Sequence, residues 1–235
     1  MIETKRPEAI LFDLGSTLLY DSMSGGLNTR VRALLKRETF DPFVNEGFDL
    51  PIALADAMDA MYRDGLEEFH VRKWLETHVH QSSSSSGGSP DELERLIRST
   101  IISYSPPDDA SRVLRELLQL GMPMGVVSNS IFSADLLRND LQELSVLEAF
   151  RFVVSSAEFG FRKPHPAIFE EAVKKLDATP STTWYVGDLW ENDVMGATGA
   201  GLIPLWLNGE AVAPDVSVPH LRARNWAELG ELVGV

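Results

Sequence analysis

The chain has no cysteine. That excludes disulfide staples, thiolate nucleophiles and cysteine-held metals together, and a reducing compartment, the cytoplasm, is the expected location. No apolar run approaches the ~20 residues of a membrane span. The N-terminal "MIETKRPEAILFDLG" has too short an apolar stretch, too soon interrupted, for a signal peptide. Basic residues are scarce: 21 Lys and Arg stand against 35 Asp and Glu, a formal charge of −14. Such a surface is poorly suited to neutralising the phosphates of a duplex, so neither nucleic acid nor membrane is expected as a partner. A small anionic substrate stays within reach where a metal ion or a local lysine reverses the field of a cleft. Core material is ample, with 44% of the 235 residues hydrophobic, which suits one large domain or one domain carrying an insert.

Short apolar runs end in small or polar residues at "AILFDL" (9–14), "PMGVVSNS" (123–130), "FRFVVSS" (150–156), "TWYVGD" (183–188) and "LIPLWLN" (202–208). Runs of this length and β-branched content suit strands buried on both faces of a parallel sheet. Amphipathic patterns at 109–120, 133–147, 165–176 and 191–200 predict helices between them. "HLRARNWAELGELV" (220–233) predicts an edge strand and a closing helix. Alternation of this kind implies right-handed crossovers and a doubly wound α/β sheet. Residues 21–105 break the pattern with helical stretches only, so the expectation is an α/β core from 1–20 and 106–235 with a helical insert at 21–105. Within the insert "QSSSSSGGSP" (81–90) reads as a loop ending in a helix start, with Ser89 as N-cap, Pro90 in the first turn and Glu92 completing a capping box. His78 and His80 lack a third metal ligand and read as solvated.

Open α/β sheets bind ligands outside the carboxyl ends of their strands. Those ends carry Asp13 and Thr17, then Ser128 and Asn129, then Gly187 and Asp188 with Asp193 five residues on; Lys163 precedes a helix after the third strand. Carboxylates with a hydroxyl and a lysine at one sheet edge are the set needed to hold a divalent cation, grip phosphate oxygens and attack phosphorus. Each residue singly has a plainer reading. Asp13 suits a turn, Ser128 a buried hydroxyl, Lys163 the surface, and Asp188 and Asp193 a helix N-cap and first turn.

Four of these fragments resemble the motifs of the haloacid dehalogenase-like hydrolase superfamily. "FDLGSTL" looks like its first, a strand ending in Asp-x-Asp-x-Thr; "VVSNS" its second; "GFRKPHPAIF" its third; and "YVGDLWENDVMGATGAG" its fourth. The likeness spans essentially the whole chain, and the insert sits where members with an α-helical cap carry theirs. It implies a Rossmann-like core and a phosphatase of small phosphorylated metabolites that forms an aspartyl-phosphate on Asp13. It implies Mg²⁺ held by Asp13, Asp188 and the backbone carbonyl of Gly15, with support from Asp193. Thr17, Ser128, Asn129 and Lys163 are the substrate-binding residues it implies, Lys163 neutralising the charge shared by Asp13 and the phosphate. A homo-oligomer is left open.

One position departs from the family pattern. Its second Asp, which protonates the leaving oxygen and then activates water, is here Gly15. General acid–base catalysis is worth ~10²–10⁴-fold, so its loss points to a substrate with a good leaving group or to a substitute acid from the insert or solvent. The alternatives are a catalytically weak phosphate-binding or regulatory protein and a phosphonate (C–P) hydrolase. The last needs an insert lysine, yet Lys36 and Lys73 both read as exposed. Tyr20, Asp21, Arg30, Arg72 and Arg162 read equally as substrate-facing or as hinge and surface residues.

Overall fold

The structure is a computed structural model that describes residues 6–61, 65–79, 88–143, 145–207, 213–215 and 217–235. Its strands are β1 (Ala9–Phe12), β2 (Tyr20–Asp21), β3 (Tyr104–Ser105), β4 (Met124–Ser128), β5 (Val153–Ser155), β6 (Thr183–Gly187), β7 (Ile203–Leu207) and β8 (Leu221–Ala223). Six form one parallel sheet in the order β5-β4-β1-β6-β7-β8. The chain starts in the middle, winds outward through β4 and β5, then crosses back to β6 on the other side of β1. The flanks of β1 are therefore the switch point, where loops diverge and leave a crevice at the carboxyl ends.

Between β2 and β3, the helices among the described residues are α1 (Leu27–Leu34), α2 (Arg37–Phe40), α3 (Leu50–Met61), α4 (Val71–His78) and α5 (Pro90–Ile101). The rest of the chain adds α6 (Ala110–Gln119), α7 (Ala134–Glu143), α8 (Ser156–Phe159), α9 (Pro166–Leu176), α10 (Gly196–Gly199) and α11 (Trp226–Val233). The expected elements at 109–120, 165–176 and 220–233 are thus found within a residue or two. The expected helix at 191–200 has a different form: a π-helical turn, Trp190–Met195, runs into α10.

The two-residue period of β1 explains how the sheet is covered. Ile10 and Phe12 face one side and pack with α6, α7 and α11. Ala9 and Leu11 face the other and pack with α9 and α10. On the first side Phe12 stacks on Trp226 with ring centroids 5.7 Å apart, and the Trp226 indole donates to the Thr17 carbonyl at 3.0 Å. Burying side chains of this size is worth ~1.5–3 kcal/mol each, so the closing helix also fixes the loop behind Asp13.

Helices α1–α5 enclose an apolar cluster of their own, including Val31, Leu54, Met58, Leu75 and Ile97, which continues onto Ile131, Phe132 and Leu136 beside β4. Ser89 and Glu92 form the expected capping box at the start of α5; the loop expected before it lies largely outside the described residues. His78 is not simply solvated: its ring stacks on Trp74 at 4.1 Å, and its Nδ1 lies 2.8 Å from the Trp74 carbonyl oxygen. His80 lies outside the described residues. The chain leaves and re-enters the sheet layer through β2 and β3, which pair antiparallel, Tyr20 with Ser105 and Asp21 with Tyr104.

Polar side chains join the helical layer to the sheet layer. Glu94 of α5 is fully buried. It accepts from the Ser133 backbone N–H at 2.8 Å and its hydroxyl at 3.0 Å, and pairs with Arg72 of α4 at 3.0 Å. Arg98 pairs with Asp140 of α7 at 2.6 Å and lies over the Tyr104 ring at 4.7 Å. No helix among the described residues is long and apolar enough to cross a membrane.

Candidate active site

Asp13 follows the last residue of β1, and its N–H continues the ladder by donating to Val186 of β6 at 2.8 Å. The next residues turn sharply. Ser16 sits in the left-handed region at φ 58°, a costly conformation for a non-glycine residue, and its N–H bonds the Leu19 carbonyl at 2.8 Å. This turn carries the chain away from the sheet edge immediately after the acid.

Lys163 reaches the same point from the loop before α9. Its backbone is clipped to Asn129, which follows β4, by two reciprocal bonds: Lys163 N–H to Asn129 Oδ1 at 2.7 Å and Asn129 Nδ2 to the Lys163 carbonyl at 3.0 Å. Its ammonium is 2% exposed and donates to Asp13 Oδ1 at 2.5 Å, Asp193 Oδ1 at 2.7 Å and the Tyr185 hydroxyl at 2.7 Å. An ammonium has three N–H bonds, and each has an acceptor here.

Asp193 comes from the π-helical turn, and the Leu189 N–H occupies its other oxygen at 2.9 Å. Its carboxylate folds back over Gly187, where a Cβ would stand 2.4 Å from the Asp193 Cγ. Only glycine at the end of β6 leaves room for it. Asp188 is the next residue, and ligand oxygens of Asp13, Asp188 and Asp193 lie within 4.8 Å of one another.

The electrostatics follow from three carboxylates sharing one lysine. Burial pushes the Asp13 carboxyl up to about 6; Lys163 opposes the rise and Asp193 adds to it. Burial, then the charges of Asp13 and Asp193, push Asp188 up to about 7. Burial disfavours the Lys163 cation, but Asp13 and Asp193 outweigh it and the ammonium is held above its ordinary value. Burial and the nearby carboxylates raise the Tyr185 phenol as well. Clustered hard oxygen donors carrying excess negative charge suit a small divalent cation, and the cluster fits Mg²⁺ on that ground.

A cleft of 280 Å³ opens above this floor, with Asp13, Gly15, Asn129, Lys163 and Asp188 among its walls. Of the other expected site residues, Thr17 and Ser128 are placed differently. Thr17 is fully buried beside the turn, its Oγ1 without a hydrogen-bond partner. Ser128 is 4% exposed at the end of β4. Neither side chain lines the cleft. A Cβ at Gly15 would meet nothing within 4 Å, so neither backbone shape nor crowding demands glycine there.

Two members of the site, Asp21 and Tyr104, lie outside the four fragments, and Tyr185 lies inside the fourth with no chemical role assigned to it there. Tyr185 reads as an ordinary aromatic of a buried strand, yet its hydroxyl also donates to the Val127 carbonyl at 3.2 Å, tying Lys163 to β4 and β6 together. Asp21 and Tyr104, on the paired strands β2 and β3, also line the cleft.

Fold and site together define a doubly wound α/β protein with an acidic, cation-compatible centre at the switch point. The family model for haloacid dehalogenase-like hydrolases matches residues 10–206, and the chain belongs to that family. Among its relatives, a glyceraldehyde 3-phosphate phosphatase of Methanothermobacter thermautotrophicus is 34% identical over 211 residues, covering 86% of each chain. A phosphoserine phosphatase of Thermus thermophilus is 25% identical over 228 residues, covering 91% of this chain and 89% of the relative. Among solved structures, a 2-haloacid dehalogenase from Pseudomonas syringae pv. Tomato superposes with a TM-score of 0.69 at 20% identity, covering 96% of this chain and 97% of the other. A phosphatase of the same superfamily from Thermococcus onnurineus gives 0.63 at 18%, with the same coverage. At these identities the structural likeness speaks for the fold.

Proposed function

We propose that the protein is a Mg²⁺-dependent phosphatase of a small phosphorylated metabolite, with Asp13 as nucleophile and helices α1–α5 as a cap over the cleft. The observation that carries this reading is the convergence of Asp13, Asp188, Asp193 and Lys163 at the carboxyl edge of the sheet. The names of the relatives support phosphate monoesters as the substrate class.

Each residue has a distinct task in this reading. Asp13 attacks phosphorus, the bond to the leaving oxygen breaks, and an aspartyl-phosphate forms; water then attacks that phosphorus and restores the carboxylate. Lys163 holds Asp13 against the repulsion of an incoming phosphate, and Asp193 with Tyr185 holds Lys163. Asn129 sets the Lys163 backbone and lines the phosphate's side of the cleft. Asp13 and Asp188, with the Gly15 carbonyl, would hold Mg²⁺, which when bound screens the nucleophile from its anionic target. Asp193, with both oxygens engaged, supports that site from behind. Neither Lys36 nor Lys73 lines the cleft, and both are exposed, so phosphonate chemistry finds no insert lysine in place.

The test is phosphate release from an aryl phosphate with and without Mg²⁺, alongside Asp13→Asn, followed by a panel of metabolite phosphates. Release that persists in the variant sinks the covalent mechanism.

A further inference from the structure

Gly15 removes the carboxylate that the family places two residues after the nucleophile, and the space it vacates is open. The walls of the cleft show what remains. Apart from the three clustered aspartates, Asp21 is the carboxylate among the described residues lining it. Resting on the phosphatase reading, we infer that Asp21, carried on the hinge strand β2, is the proton donor and acceptor that replaces the missing acid.

The placement of Asp21 is built. Its Oδ1 accepts from the Met23 N–H at 3.0 Å, and its Oδ2 from Arg30 Nη1 at 2.5 Å. Arg30 is 9% exposed and does not serve Asp21 alone: its guanidinium also donates to the carbonyls of Met23, Ser24, Gly25 and Ile101. Its guanidinium is therefore anchored to the hinge, and it acts on Asp21 as a bracket that fixes direction. The backbone of Asp21 is paired with Tyr104 across the two-strand seam. An acid at this seam is set by the position of α1–α5 relative to the sheet, which couples proton transfer to closure over the substrate.

The chemistry balances over one turnover. In the first half, Asp13 attacks phosphorus, the ester P–O bond breaks, and the leaving oxygen takes the proton of the Asp21 carboxyl. In the second, a water oxygen attacks phosphorus of the aspartyl-phosphate and one water proton passes to the Asp21 carboxylate. The P–O bond to Asp13 breaks, and both acids return to their starting states. The net change is ester plus water to alcohol plus phosphate.

The experiment compares Asp21→Asn with the native enzyme on an alkyl phosphate and a nitrophenyl phosphate. Proton donation matters most for a basic leaving oxygen. The alkyl rate should fall roughly 10²-fold or more, while the nitrophenyl rate falls only a few-fold. Adding Gly15→Asp to that variant should recover most of the alkyl rate. Equal losses on both substrates, or no loss, overturn the assignment; so does a selective loss in Tyr104→Phe that Asp21→Asn lacks. Should thermal melting show that Asp21→Asn does not fold, Gly15→Asp alone decides. A change of only a few-fold in the alkyl rate supports a donor already in place, and a rise on the order of 10²-fold overturns it. Failure of the underlying reading looks different, because the native enzyme would then show no Asp13-dependent phosphate release at all.

Discussion

Two buried ionic clusters of this molecule use the same ingredients in different proportions. At the junction of the helical and sheet layers, Glu94 meets Arg72 and Asp140 meets Arg98. Each of these two acids has its own arginine there, Arg72 also taking the exposed Asp91. Burial pushes the Asp140 carboxyl up but Arg98 opposes the rise, and the backbone and hydroxyl of Ser133 satisfy what remains of Glu94. At the sheet edge, Asp13, Asp188 and Asp193 share Lys163, and two of the three acids are pushed toward neutrality. A matched cluster is complete as it stands and serves as a joint. A mismatched one is stable only with some protons retained or a cation added, so stoichiometry separates the joint from the proposed active centre more clearly than burial does.

The strongest way to break this contrast is chemical. Asp13→Asn should abolish turnover, with a loss of about 10⁴-fold or more, while the melting temperature stays level or rises because a buried charge is gone; phosphate release and calorimetry read the two. Lys163→Met removes the shared cation. It should cost about 3–5 kcal/mol of stability, part of which added Mg²⁺ restores in a denaturant titration. Glu94→Gln, in the matched joint, should cost about 1–3 kcal/mol and show no such rescue.

Titration sharpens the same point. The folded protein holds protons on Asp13 and Asp188 up to about 6 and about 7, whereas the ordinary value is 3.8. Across that window the folded state binds more protons than the unfolded one, so the metal-free protein should lose stability as pH rises from about 4 to about 7. Mg²⁺ should then raise the melting temperature more at pH 8 than at pH 5; an equal rise at both would contradict the cluster's excess charge. The smallest expected effect on turnover is that of Tyr185→Phe, which leaves one N–H of Lys163 without its acceptor. A cost of about 1–3 kcal/mol should come with a weaker kcat and a nearly unchanged KM.

These clusters also show what a sequence reveals of its site. Asp13, Asn129 and Asp188 stand at or near the ends of apolar runs, where period and polarity change together, and Lys163 stands before a helix in the "GFRKPHPAIF" fragment; they were legible for those reasons. The alternating strands and helices made the doubly wound sheet legible too. Glu94 and Arg98 were not, because "DELERLIRST" shows ordinary helical charge spacing. Their partners Ser133 and Asp140 lie about forty residues away. Tyr185 was hidden among the apolar residues of its strand. The seam that carries Asp21 has two residues on each side, too few for any periodicity to register.

The turn at Trp190–Met195 sets the phase of the whole assembly. In it the Val194 N–H reaches back five residues to the Leu189 carbonyl, so the turn holds one residue more than an ordinary helix would. Deleting a residue there, Asn192 for instance, would restore the common repeat and swing the following side chain by about 100°. Asp193 would leave its place over Gly187 and Lys163 would lose an acceptor, although every chemical group of the site were still present. The extra residue works as a spacer in angle.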